Sequence, residues 1–157
     1  MKKRILSIDE QLLAENQVID KLISFFEMNL DFSKVIYEVW TAKDVLGHIT
    51  SWHLSFERNL SSAVNNEKAV PFSGSLADVN EKEVENMKMY SVNDLIEKIR
   101  KSQDYINKNI KNHNVNEIAY KKGSRNYSPI EHIEVVQRHI NSHLKDLENK
   151  YKEEKSN

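Results

Sequence analysis

Ser128-Pro129-Ile130-Glu131-His132-Ile133-Glu134-Val135-Val136-Gln137-Arg138-His139-Ile140-Asn141-Ser142-His143-Leu144 is the stretch from which the fold can be read. Ser128 and Glu131 stand three apart, the spacing at which a hydroxyl and a carboxylate accept each other's backbone N–H at a helix start. Pro129 falls at the first helical position, where its missing N–H costs nothing. Behind this start, Ile133, Val136, Ile140, Leu144, Leu147 and Tyr151 recur at spacings of three and four. Such spacing lays them along one face and predicts a one-sided helix over about 129–151.

The same signature occurs three more times, at Ser7/Glu10, Thr41/Asp44 and Ser91/Asp94, each opening an apolar-periodic stretch. These predict helices over about 8–30, 42–64 and 92–110. Their stripes are Leu12, Ile19, Ile23, Phe26 and Leu30; then Val45, Ile49, Trp52, Phe56 and Leu60; then Val92, Leu95, Ile96, Ile99, Ile106 and Ile110. Four one-sided helices need one another to cover their stripes, so the expected class is all-α, a four-helix bundle forming a single domain over 1–157. The link 31–40 holds neither Gly nor Pro. The segment 65–90 is a long crossover with Pro71, Gly74 and a short helix near 78–89, and it lets the second and third helices lie apart. Residues 112–127, polar, basic and containing Gly123, read as a loop or small extended segment; the charged tail 152–157 is expected to fray.

Composition narrows the function. A chain of 157 residues can bury one sizeable core without disulfides. Lys+Arg of 23 against Asp+Glu of 24 gives a formal charge of −1, which argues against an electrostatically driven nucleic-acid binder. With no cysteine there is no thiol nucleophile, thiolate-bound zinc or disulfide framework. Three glycines and two prolines disfavour phosphate-cradling loops and turn-dense β architectures. No apolar run approaches the ~20 residues a membrane span needs, and Asp9 and Glu10 interrupt the basic N-terminus before a signal-type core can form. A cytoplasmic setting without membrane partners is expected.

Six histidines remain as candidates for chemistry: His48, His53, His113, His132, His139 and His143. His139 and His143 are four apart, one turn above the other, so both imidazoles can reach one metal ion. On a helical wheel they lie roughly 65–105° to one side of the apolar stripe, and His132 falls in the same sector. On the second helix, His48 lies at a comparable margin, with Ser51, Ser55 and Asn59 beside it. Two such margins can line a cleft between helices; they can equally be ordinary polar boundaries of a bundle.

Other side chains carry two readings each. Trp40 anchors the entry of the second helix or contacts a ligand, and Trp52, one turn beyond His48, packs in the core or walls a pocket. Tyr120, Tyr127, Lys121, Lys122 and Arg125 form a solvated loop or a lid with an anion-binding edge. Glu131 is explained by capping rather than by general-base chemistry. Asn16 and Gln103 interrupt apolar stripes and are read as bonded to each other or to a ligand. No nucleophile-elbow motif is present for a serine hydrolase triad.

The segment Trp40-Thr41-Ala42-Lys43-Asp44-Val45-Leu46-Gly47-His48-Ile49, followed by Trp52, resembles the second-helix start of the DinB-like superfamily (DinB/YfiT-like). Val136 through Leu144, with His139 and His143, resembles that family's fourth-helix H-x-x-x-H, and the stretches around Asp78-Val79-Asn80 and Ser91-Val92-Asn93-Asp94-Leu95 resemble its DfsB-type branch. The resemblance implies a four-helix bundle with a long crossover between helices two and three. It also implies a divalent metal site made by His48, His139 and His143; zinc, nickel and iron(II) all accept imidazole. The activity implied is that of a metal-dependent enzyme acting on a small molecule, by transfer with a low-molecular-weight thiol or by hydrolysis, with a homodimer as the family assembly. The alternative is a non-catalytic ligand-binding or self-resistance protein of the DfsB type. Leu144-Lys145-Asp146 after His143 departs from the His-Arg-Gly-Gln form of some members, which leaves the branch and the substrate open.

Overall fold

Ser7 with Glu10, Thr41 with Asp44 and Ser91 with Asp94 each form both bonds of the reciprocal cap. Ser128 and Glu131 do the same, at 3.0 and 3.3 Å. In the computed structural model, which describes residues 5–155, these starts and one more give five helices: α1 (Ile8–Glu27), α2 (Ala42–Val64), α3 (Leu76–Met87), α4 (Val92–Asn109) and α5 (Pro129–Lys155). A small antiparallel pair, β1 (Val35–Tyr37) and β2 (Trp40–Thr41), precedes α2. The fold is mostly helical, with the expected short crossover helix beside the four main ones and a hairpin where a plain link was expected.

The differences have local causes. α1 stops at Glu27 rather than near residue 30, because Met28 turns extended (φ −71°, ψ 154°). The Asp31 side chain then takes the Ser33 N–H and hydroxyl at 3.0 and 2.6 Å and bends the chain. The crossover helix begins earlier than expected, since the Ser75 side chain caps the Asp78 N–H at 3.2 Å. α5 continues to Lys155, so the tail stays helical that far. The expected fraying at 156–157 and the basic stretch 1–4 lie outside the described residues.

Cross-helix contacts define the directions. Asp9 meets Lys111, Glu15 meets Gln103 and Glu27 meets Arg100, so α1 and α4 are antiparallel. His48 meets His139, and Phe56 stacks on His132, so α2 and α5 are antiparallel. His53 meets Gln103, and Val64 accepts from Asn114 just beyond α4, so α2 and α4 are parallel. The long crossover was expected to separate these two helices. They are instead neighbours, and the length of 65–91 is what carries the chain back along α2 to start a parallel partner. α3 lies on the outer side of α2 within that crossover. Gly47 permits its approach: a Cβ there would meet Met87 Cβ at 3.0 Å.

Two apolar clusters fill the interior. The larger joins Leu22, Phe26, Val45, Leu46, Ile49, Leu95, Ile99, Ile140, Leu144 and Leu147. The smaller joins Phe56, Leu60, Ile106, Ile110, Ile118 and Ile133. Fully burying each such side chain stabilises by roughly 1.5–3 kcal/mol. Between the clusters lies a layer of buried polar groups, Glu15, His53, Ser102, Gln103 and His132 among them. The functional geometry lies at this layer and beside it.

Candidate metal centre

α5 carries His139 and His143 on successive turns, and antiparallel α2 brings His48 against them. The Nε2 atoms of His48 and His139 are 3.1 Å apart, and those of His139 and His143 are 2.9 Å apart. Ligating atoms of the three residues all lie within 4.8 Å of one another. Imidazoles bound at 2.0–2.1 Å to one ion stand about 3 Å apart, so the spacing suits a shared cation. His48 is buried, while His139 and His143 are half-buried.

The protons of the cluster support the same conclusion. Tyr37, on β1, sets its hydroxyl 3.0 Å from His143 Nδ1 and donates to the Asp146 carboxylate. With its own hydrogen on Asp146, the Tyr37 oxygen can only accept from His143 Nδ1–H. The Nε2 of His143 therefore presents a lone pair to the cluster. A proton on His139 Nε2 could serve only one of its two neighbours, whereas a cation at the centre satisfies all three nitrogens. An outer carboxylate–hydroxyl–imidazole chain of this kind fixes a metal ligand's tautomer and orientation.

Burial keeps the ligand form. It holds His48 down to about 3, with the charges of His139 and His143 adding to the shift. Burial, then His143, holds His139 at about 4. His143 is lowered by burial, against the pull of Asp146. All three are neutral near pH 7, as metal binding requires. Burial and the bonded Asp146 raise the Tyr37 hydroxyl, so it stays protonated.

The hairpin completes the surroundings. Trp40 on β2 lies against His48, ring centroids 5.1 Å apart. Tyr37, Glu38, Val39, Trp40, His143 and Asp146 line an open cleft of about 590 Å³, a size that accepts a small molecule. The backbone of Glu38, at positive φ (42°), makes the turn that places Tyr37 and Trp40 on either side of the histidines.

Two crystal structures share this fold. The mycothiol-dependent maleylpyruvate isomerase superposes with a TM-score of 0.73 at 14% identity, over 90% of this chain and 61% of that one. A histidine-to-alanine variant of the same enzyme gives a TM-score of 0.72 at 14% identity over the same shares. The likeness is one of fold, and this chain spans about 61% of the isomerase's length. Neither a protein-family model nor a curated protein matches the chain.

The remaining candidates sort differently. His132, in the same wheel sector as the pair, is two turns away, about 10 Å along the axis. It stacks on Phe56 at 4.0 Å and lies outside the cluster, so it is no fourth ligand here. His53 bonds Gln103 at 2.8 Å, and His113 is exposed. Trp52 stacks on Tyr120 at 5.0 Å and donates to Asn80 at 2.7 Å, so it packs and walls a cavity at once. Tyr120 of the polar loop lines that cavity, and the loop is pinned by the Phe72–Lys121 and Ile118–Tyr127 bridges. Two of its three cations are otherwise engaged: Lys121 on the Gly74 carbonyl at 2.9 Å and Arg125 on Glu131 at 2.8 Å. That ion pair, with the cap to Ser128, holds Glu131 at about 2 and leaves it no role as a base. Asn16 and Gln103 do not meet each other; both bond Asn107 at 3.0 Å.

Sequence reasoning passed over Tyr37, Asp146 and Glu15. Asp146 stands three residues after His143 on the same helix face, a signal that was available. Tyr37 carried none, because its position depends on the hairpin. Glu15 is fully buried; Gln103 donates to its Oε1 at 2.6 Å, and burial raises it to about 8, so it is a neutral acid at pH 7.

Proposed function

We propose that the protein is a DinB-like metal-dependent enzyme acting on a small molecule, with His48, His139 and His143 holding one divalent cation. In this reading α1, α2, α4 and α5 are the family's four-helix bundle, 65–91 is its crossover, and 1–157 is one domain in a cytoplasmic protein. The observation that carries it is the convergence of three imidazole nitrogens, one with its lone pair fixed inward by Tyr37 and Asp146. Three neutral nitrogen ligands leave positions open, as in catalytic rather than structural sites. A bound zinc, nickel or iron(II) ion would supply Lewis acidity and lower the pKa of a coordinated water or thiol. The residues around it have their own parts: Tyr37 orients His143, Trp40 shields His48, and the 590 Å³ cleft admits the substrate.

The reaction class we favour is thiol-dependent transfer or isomerisation rather than hydrolysis. The shared fold with a mycothiol-dependent enzyme supports a low-molecular-weight thiol as co-substrate. The absence of cysteine in the chain means that such a thiol would have to come from outside. The test is the metal content of protein purified without a histidine tag, followed by titration with zinc, nickel and iron(II) and then with a small thiol. Stoichiometric metal, and a thiol-induced change in its spectrum after substitution by cobalt, are expected. A site that ignores all three metals would instead favour the non-catalytic, DfsB-type ligand-binding reading, which the small cavity beside His139 also supports.

A further inference from the structure

Between α2 and α5, under Tyr120, lies a cavity of about 30 Å³ whose lining includes His139, while the open cleft is bordered by His143. It has room for roughly one or two water-sized groups. Most of its wall is apolar, and its polar lining is His53, Ser55, Asn59, Tyr120 and His132 beside His139. Neither ring nitrogen of His132 has a hydrogen-bond partner among the described residues, although the residue is 2% exposed. His53 Nδ1 is in the same condition.

The bonding of Gln103 fixes the character of His53. Its amide nitrogen donates to Glu15 and Asn107, so its oxygen faces His53 and must accept from His53 Nε2–H. His53 Nδ1 is then an acceptor. His132, neutral under burial, presents one donor and one acceptor. Unpaired polar atoms this deep are costly and rare in folded proteins; here the two histidines that carry three of them both line one cavity, whose lining holds no lysine, arginine, aspartate or glutamate. A carboxylate or phosphate entering it would lose hydration with no cation in return. A hydroxyl, amide or carbonyl group could both donate and accept.

We propose that this cavity is the specificity pocket of the metal centre, receiving an uncharged hydrogen-bonding group of the substrate with His132 and His53 as its polar partners. Its link to the chemistry rests on the metal-centre reading above, through His139, which borders both; the binding itself needs no metal. The preferred substrate is then a small molecule with a reacting group at the ion and a neutral polar group one side chain deeper.

The test is a titration of metal-free protein with formamide and with its anionic counterpart formate, read by nitrogen-15 NMR of the histidine rings. Formamide is expected to shift the His132 and His53 resonances with a millimolar dissociation constant, about what so few non-hydrogen atoms allow. Formate is expected to bind at least tenfold more weakly. His132→Phe should abolish the response at His53, and the wild-type titration stands alone if that variant does not fold. No shift at His132, or formate binding as tightly as formamide, overturns the pocket. Adding zinc to the same sample reads the other question separately: movement of His48, His139 and His143 reports the metal centre whether or not formamide binds.

Discussion

His143 and His53 are both imidazoles that burial holds below their ordinary range. Each gives one ring N–H to a fixed oxygen, that of Tyr37 or of Gln103. They differ in what faces the other nitrogen. For His143 it is two more imidazoles at the edge of an open cleft; for His53, which lines a small cavity, it is no partner among the described residues, at the end of an amide chain that runs through Gln103 to Glu15. Three convergent ring nitrogens suit a cation, whereas alternating donors and acceptors largely satisfy themselves and leave room for a neutral guest. A buried, neutral histidine is therefore not by itself a metal site. The direction of its second nitrogen decides.

The sharpest way to break the contrast is to remove the pair on α5. His139→Ala/His143→Ala should lower zinc affinity by well over the ~100-fold that a lost outer partner costs, with the helical spectrum retained. His53→Ala and His132→Ala should leave affinity within a few-fold by calorimetry. Undiminished binding in the double variant would remove the metal centre altogether.

The central layer should show itself in pH dependence. Glu15 has a folded pKa of about 8, above its ordinary 4.5. Below pH 4.5 it is protonated in both states; as pH rises to about 8 only the unfolded chain releases the proton. Stability is thus lost across that window, on the order of 4–5 kcal/mol in all. Glu15→Gln, always neutral, should match wild type near pH 5 and exceed it by a few kcal/mol at pH 8 in urea unfolding. His53 and His132 act in the opposite sense, with folded values of about 4 against 6.5. Their contribution is full above pH 6.5 and is lost as pH falls to 4, roughly 3 kcal/mol each. That acid limb should survive in Glu15→Gln.

Tyr37→Phe removes the oxygen that accepts from His143 while keeping the ring. Metal affinity should fall 10–100-fold, about 1.4–2.7 kcal/mol, with little change in melting temperature; an unchanged affinity would mean that the tautomer is not held from the hairpin. The smallest effect belongs to the edge of the central layer. Asn16→Ala breaks the reciprocal 3.0 Å pair with Asn107 and should cost about 1 kcal/mol of stability, with no effect on metal binding.

Caps and apolar spacing are short-range features, and they made the helices legible. Four capping pairs marked four starts within a residue, because Ser or Thr followed three later by an acid satisfies backbone groups that no distant contact can reach. Helix ends were less legible: α1 ends without a glycine, through the Asp31 turn. His139 and His143 were readable as a pair from one turn of helix. His48 could be joined to them only by resemblance, and the wheel that sets His132 in the same sector cannot separate it from the pair, because a wheel shows angle but not height.

What the sequence determined by itself is what neighbours along the chain decide: where helices start, which faces are apolar, and which two imidazoles share a turn. What only the tertiary structure decided is what meets across the chain. Parallel α2 and α4, the hairpin that carries Tyr37 to His143, and the meeting of His53 and His132 at one cavity all join residues tens of positions apart. No local propensity encodes such meetings. They follow from the one packing that buries all the stripes together, with the polar margins brought along.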